Sequence, residues 1–167
     1  MAVLQLTDIS IDFPTSKGVV HAVTKLNLTI EPGRRVGFIG ESGSGKTTTA
    51  LSVMRMLAGS GHVASGTIRL GADEPDVLAL SAEEMRKTRL KRVSYIPQGA
   101  MNSLNPIMRI ENQIWDAIVA HEGKVAKSEL QKRSDEALES VGLPLHTGQL
   151  YPHELSGGMK QRGCIAM

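Results

Sequence analysis

Ile9, Ile11 and Phe13 alternate with polar residues, and so do Leu26, Leu28 and Ile30. A period of two marks strands with one buried face, so residues 1–30 read as antiparallel β. Glu31-Pro32-Gly33 is a turn. It hands the chain to Val36-Gly37-Phe38-Ile39, an apolar run that reads as a buried strand. Thr47 to Leu57 is compatible with a helix, Gly59 to Ser65 with a loop, and Thr67 to Leu70 with a short strand. Ser81-Ala82-Glu83-Glu84 has the spacing of a capping box and opens a helix to about Leu90. Val93-Ser94-Tyr95-Ile96 reads as a second buried strand, stopped by Pro97.

From about residue 104 the pattern turns helical. Ile110, Ile114, Ala117 and Ile118 share one face of a helix running to about His121. Ser128-Glu129-Leu130-Gln131 reads as another capping box. Its helix carries Leu130, Ala137, Leu138 and Val141 on one side and ends at Gly142. A third helix starts at Ser156. The composition fits a soluble globular protein, with 41% hydrophobic and 22% charged residues. A net charge of +2 is too small to argue for nucleic acid, and the basic residues from Arg86 to Arg92 read as a solvated helix face. Cys164 is the only cysteine, which excludes a disulfide framework and a Cys-based zinc site. No signal pattern opens the chain and no apolar run approaches the ~20 residues of a membrane span, so any membrane link is expected to go through another subunit.

Gly40-Glu41-Ser42-Gly43-Ser44-Gly45-Lys46-Thr47 matches G-x-x-x-x-G-K-[ST], a phosphate-binding loop between an apolar run and a helix. Glycines let the backbone wrap around phosphate oxygens with N–H groups inward, and the helix presents its positive end to the same charge. Lys46 would reach the β- and γ-phosphates of a nucleoside triphosphate, and the Thr47 hydroxyl would hold Mg²⁺.

Leu155-Ser156-Gly157-Gly158-Met159-Lys160-Gln161-Arg162 lies downstream. Alone, Ser156 before two glycines is a helix N-cap. After a phosphate loop, it resembles the signature motif of ATP-binding-cassette (ABC) ATPases. Gln98 matches that family's Q-loop glutamine. Gln98-Gly99-Ala100-Met101-Asn102-Ser103-Leu104-Asn105-Pro106 and Tyr151-Pro152-His153-Glu154 resemble the oligopeptide/dipeptide/nickel importer branch, along essentially the whole chain. Gly99 stands where an acidic residue is common, and Lys160 where Arg is frequent. The resemblance implies an α/β P-loop NTPase core with an antiparallel β subdomain and a helical subdomain. It implies ATP and Mg²⁺ as cofactors, with Gly40 to Thr48 around the phosphates, Thr48 included. Lys46 and Gln98 serve catalysis, and Thr47 and Gln98 the metal. Phe13 lies where the family stacks an aromatic on adenine, although it also fits a packed strand face with Ile9 and Ile11. Ser156, Gly157, Gly158 and Gln161 would act in trans on ATP held by a partner subunit.

The family also places an apolar strand ending in a metal-binding Asp and a catalytic Glu after the signature helix, and a switch histidine beyond it. Asp116 and Asp135 are the only aspartates after Gln98, both in helical patterns, and all five histidines precede Ser156. Glu154 precedes the signature and is not read as the base. Without the missing strand the central sheet would have an empty slot and open edges. The expectation is that this is the N-terminal part of a longer protein, able to bind ATP but inactive in hydrolysis alone. It divides into a nucleotide-binding core with its β subdomain (1–103), a helical subdomain (104–155) and the start of the returning core (156–167).

The function expected from the resemblance is that of a cytoplasmic ATPase subunit of an ABC importer for peptides or nickel. It would lie at the inner face of the cell membrane, held there by transmembrane permease subunits. A second ATPase subunit would complete a homo- or heterodimer, with a solute-binding protein as an indirect partner and no nucleic acid. The rivals are a non-transport ABC ATPase, which the lack of heptads and the single cysteine weaken, and a nucleotide-binding module without hydrolysis.

Overall fold

The computed structural model describes residues 2–167. The chain packs as two units, one ending at Tyr95 and one spanning Ile96–Met167. In the first, β1 (Leu4–Thr15), β2 (Gly18–Ile30) and β3 (His62–Arg69) form an antiparallel sheet in the order β2-β1-β3. Leu6, Ile9 and Ile11 of β1 are all buried, although Leu6 and Ile9 are an odd number of residues apart. A bulge between them restores the parity. Asp8 adopts φ 50° there, and Asn27 staples it, accepting from the Asp8 N–H at 3.0 Å and donating to its carboxylate at 2.8 Å. Both sets of apolar residues thus enter one core with Ile68, Val53, Val77 and Met85. Burying each such aliphatic side chain contributes ~1.5–3 kcal/mol relative to exposure.

Two helices pack in this unit, α1 (Lys46–Val53) and α2 (Ala82–Thr88). The capping box read at Ser81 is formed. Ser81 Oγ accepts from the Glu84 N–H, and the Glu84 carboxylate accepts from the Ser81 N–H. The basic run after it is not simply a solvated face. Arg86 pairs with Glu83 at 2.7 Å, which holds the Glu83 carboxyl down at about 2. Arg89 turns back to α1, donating to the carbonyls of Met54 at 3.0 Å and Arg55 at 3.2 Å. Arg92 donates to the Leu70 carbonyl and pairs with Glu74.

Two expected strands do not form. Val36 to Ile39 has no strand hydrogen bonding, and Val36, Phe38 and Ile39 are 46%, 47% and 100% exposed. Val93 makes only a single parallel bridge to Arg89, and Ile96 is 52% exposed. A strand exists through its neighbours' N–H and C=O groups, and no strand of the described residues pairs with either run.

The second unit is helical: α3 (Ile110–Glu122), α4 (Lys127–Ser140) and α5 (Gly157–Ala166). Leu104, Ile110, Ile114, Leu138, Leu143 and Leu155 make its core. Ser134 is fully buried between α3 and α4, accepting from Trp115 Nε1 and donating to the Gln131 carbonyl. The capping box read at Ser128 is absent. The helix starts earlier, with Ala126 as an N-cap that offers no side-chain hydrogen bond. Its carbonyl accepts from Glu129 and Leu130, so Ser128 already lies inside the first turn. The stop at Gly142 is a Schellman motif. Gly142 takes φ 68°, its N–H reaches the Glu139 carbonyl, and the Leu143 N–H reaches that of Leu138. Among the described residues no helix is long and apolar enough to cross a membrane.

Arg89 satisfies the carbonyls of Met54 and Arg55, just beyond the end of α1. Arg89→Ala is expected to lower unfolding stability by about 1–3 kcal/mol. Urea unfolding checks this, with exposed Lys91→Ala as the control expected within about 0.5 kcal/mol of wild type.

Candidate functional site

The loop from Gly40 to Gly45 ends in the first turn of α1. Gly43 and Gly45 take φ 85° and 84°, the left-handed region that glycine adopts freely and that anion-binding nests of peptide N–H groups use. Gly45 is the N-cap of α1 and has no side chain to cap it, and the first turn holds no acidic residue. The leading N–H groups of the helix therefore have neither an intrahelical acceptor nor a capping side chain. Lys46 Nζ folds into the loop, donating to the carbonyls of Gly40 at 2.8 Å and Glu41 at 2.6 Å and to Ser44 Oγ at 3.0 Å. This places a full positive charge at the mouth of a helix whose dipole is also positive there. Thr47 is exposed on the same turn, Thr48 is half-buried, and Ser42 is exposed at the loop's tip.

The loop's seat is made by β2. In the β1–β2 ladder Ile11 faces Val23 and Asp12 faces His21, which leaves Ala22 as an extra residue in a bulge. The Ala22 carbonyl stands 2.8 Å, and Val23 Cγ2 3.1 Å, from where a Cβ on Gly45 would lie. Behind, Thr49 is buried and its hydroxyl donates to the Gly45 carbonyl at 2.9 Å. A cavity of about 330 Å³ opens beside the loop, lined by Ala22 to Thr24, Phe38 and Ser44 to Lys46. The donors are an ammonium, glycine N–H groups and hydroxyls, with space next to them. That set fits a triphosphate, and Thr47 offers a hydroxyl oxygen to a hard cation.

Phe13 lies on β1 opposite Val20, half-buried at the edge of the β-sheet core. It is two residues along from Ile11, whose partner Val23 touches the loop, which is roughly 7 Å of strand. Phe13 thus packs on the core, as a strand face shared with Ile9 and Ile11 requires. Gln98 and the signature residues belong to the second unit. Gln98 is exposed just before Gly99, which turns at φ 78°. Ser156 is the N-cap of α5, and its Oγ accepts from the Met159 N–H at 3.4 Å. Gly157, Gly158 and Gln161 are exposed on its first turns. Neighbouring Arg162 instead donates to the Gly142 carbonyl at 2.7 Å, closing the end of α4. Cys164 packs inward, donating to the Ala100 carbonyl, and burial pushes its thiol pKa up.

Sequence reasoning missed Ala22, Arg89 and Arg162. Each acts on a carbonyl or glycine far away in the chain, and no local pattern announces such a contact. The fold these elements make is that of a nucleotide-binding cassette. Over 98% of the chain it superposes on a dimeric bacterial ABC transporter cassette, MJ0796, with a TM-score of 0.78 and 24% identity, covering 67% of that chain. It also superposes on cbiO1 from Clostridium perfringens, part of the transporter complex cbiONQ, with a TM-score of 0.76 and 24% identity. That match covers 99% of this chain and 60% of the other. The chain belongs to the ABC transporter family, whose model matches residues 23–167. It is 38% identical over 98% of its length to the oligopeptide transport ATP-binding protein OppD of Salmonella typhimurium, covering 48% of that protein. Against OppD of Bacillus subtilis it is again 38% identical over 98% of its length, covering 46%. The chain spans about half the length of the curated relatives it matches.

Gly43 and Gly45 separate two costs. Gly43→Ala meets no atom within 4 Å, so only its left-handed backbone is strained, worth roughly 1–2 kcal/mol. Gly45→Ala carries the same strain and also drives a methyl group into the Ala22 carbonyl. Urea unfolding of the two variants is expected to place Gly45→Ala clearly below Gly43→Ala. Equal losses would mean that the seat on β2 is soft.

Proposed function

We propose that this chain is the ATP-binding part of the ATPase subunit of an ABC importer, taking up peptides rather than nickel. The observation that carries the reading is the uncapped N-terminus of α1 behind a loop that holds Lys46 Nζ on the carbonyls of Gly40 and Glu41. Similarity along the chain to ATP-binding proteins of oligopeptide transport supports the importer and favours peptides over nickel. The division 1–103, 104–155 and 156–167 into core, helical subdomain and returning core is part of the same reading.

When bound, ATP with Mg²⁺ supplies the phosphoryl group transferred to water. Lys46 neutralises charge on the β- and γ-phosphates, and the N–H groups from Gly43 to Thr48 cradle their oxygens. Gly40, Glu41, Ser42 and Ser44 shape that cradle. The Thr47 hydroxyl would hold Mg²⁺, and Gln98 would serve the metal and the attacking water in the complete protein. Phe13 stacks on adenine. Ser156, Gly157, Gly158 and Gln161 close on the γ-phosphate held by a second ATPase subunit. The Gln98 segment transmits that closure to permease subunits, which hold this chain at the cytoplasmic face of the membrane.

Mg-ATP is expected to raise the thermal midpoint, since a ligand at 100 times its Kd adds about 2.7 kcal/mol. Lys46→Ala should lose most of that gain, and an undiminished shift would remove Lys46 from the site. Ser156→Arg should spare ATP binding by the monomer and block ATP-driven dimerisation of the full-length protein in sedimentation. A mutant that still dimerises would take Ser156 out of the interface.

A further inference from the structure

Gly61 is not a glycine for the sake of its backbone, because it is absent from the positions with positive φ. What it lacks is room. A Cβ there would lie 2.3 Å from Phe13 Cε1, 2.7 Å from Cζ and 2.9 Å from Cδ1. These are its three nearest atoms, and all belong to one ring. Real Cβ atoms do not come that close to anything, so no other residue at 61 is compatible with the ring where it stands.

The turn that presents Gly61 is itself fastened. The Gly61 N–H reaches the Ala58 carbonyl at 3.1 Å, and Gly59 takes φ 59°. Ser60 Oγ donates to the Pro14 carbonyl at 2.8 Å, which ties the turn to the residue next to Phe13. β3 begins directly afterwards, with His62 opposite Asp12. The chain leaving α1 therefore comes back to the end of β1 and lies against one side of the Phe13 ring. The ring remains half-buried, so part of it stays accessible.

We propose that Gly61 is a positioning residue for the nucleotide base: it seats the Phe13 ring at the height from which it stacks on adenine. This rests on the reading of Phe13 as the adenine platform. Gly61 lies outside the loop from Gly40 to Thr48 and does not line the cavity beside it, so its effect is confined to ligands that carry a base.

The test is calorimetric titration of the chain with Mg-ATP and, separately, Mg-tripolyphosphate, which has the charge without the base. For Gly61→Ala the ATP Kd is expected to rise roughly 5- to 10-fold, the low end of what a lost aromatic–base stack costs. The tripolyphosphate Kd should stay within about 2-fold of wild type, which also certifies that the variant is folded. In a Phe13→Ala background, Gly61→Ala should add nothing, because the two residues act as one unit. A Gly61→Ala variant with the wild-type ratio of the two affinities overturns the proposal. So does one that loses both ligands equally, or one whose effect adds to that of Phe13→Ala. If Phe13→Ala itself leaves the ratio unchanged, the adenine platform falls and Gly61 falls with it, while tripolyphosphate binding keeps the phosphate loop standing.

Discussion

The first turn of α1 has N–H groups that no side chain of the described residues caps, and much of the first unit is arranged around that fact. Helix ends normally recover their orphan groups from side chains. Here the two ends are treated oppositely. At the C-terminal end, Arg89 comes from beyond α2 to serve the carbonyls of Met54 and Arg55. At the N-terminal end, Gly45 is the cap and supplies nothing. The bulge at Ala22 braces the loop from the side, and Thr49 ties Gly45 back into the helix. Lys46 adds its charge to the same spot while held by the loop's own carbonyls. The result is a rigid mount for a concentration of positive potential that only an anion can satisfy.

The second unit uses the same device for a different end. Arg162, next to the signature residue Gln161, serves the carbonyl at the close of α4. Together with the Schellman motif at Gly142 it locks the corner between α4 and Leu143. Ser156 serves its own helix through the Met159 N–H, a long hydrogen bond at 3.4 Å. The opening of α5 is therefore held lightly while its middle is anchored firmly.

What could be read from the sequence was what is local. The phosphate loop is spelled by residues whose conformation depends on their own glycines. The capping box at Ser81 and the stop at Gly142 likewise need only neighbours within a turn or two. The strand face of Ile9 and Ile11 was visible, but its continuation through Leu6 was hidden by the bulge at Asp8, because a bulge breaks the period that reveals a strand. Ser128 misled for a related reason. Its spacing to Gln131 suits a cap, but the helix starts two residues earlier, with Ala126 as N-cap, and Glu129 favours the positive end from within the first turn. Val36 to Ile39 has the composition of a strand and no partner to make it one. Arg89, Arg162 and Ala22 were invisible because their partners are long-range backbone groups, which carry no residue identity to match.

The exposure of Val36, Phe38 and Ile39 also sets how the chain behaves in company with itself. A short apolar run rich in β-branched and aromatic residues, with its backbone donors and acceptors unclaimed, is a template for adding a strand from another molecule. Arg34 and Arg35 stand immediately before it and oppose such stacking by charge repulsion, in the manner of gatekeepers. That repulsion is screened by salt, with a Debye length of about 8 Å at physiological ionic strength. The charge that opposes strand addition at this run therefore weakens as ionic strength rises.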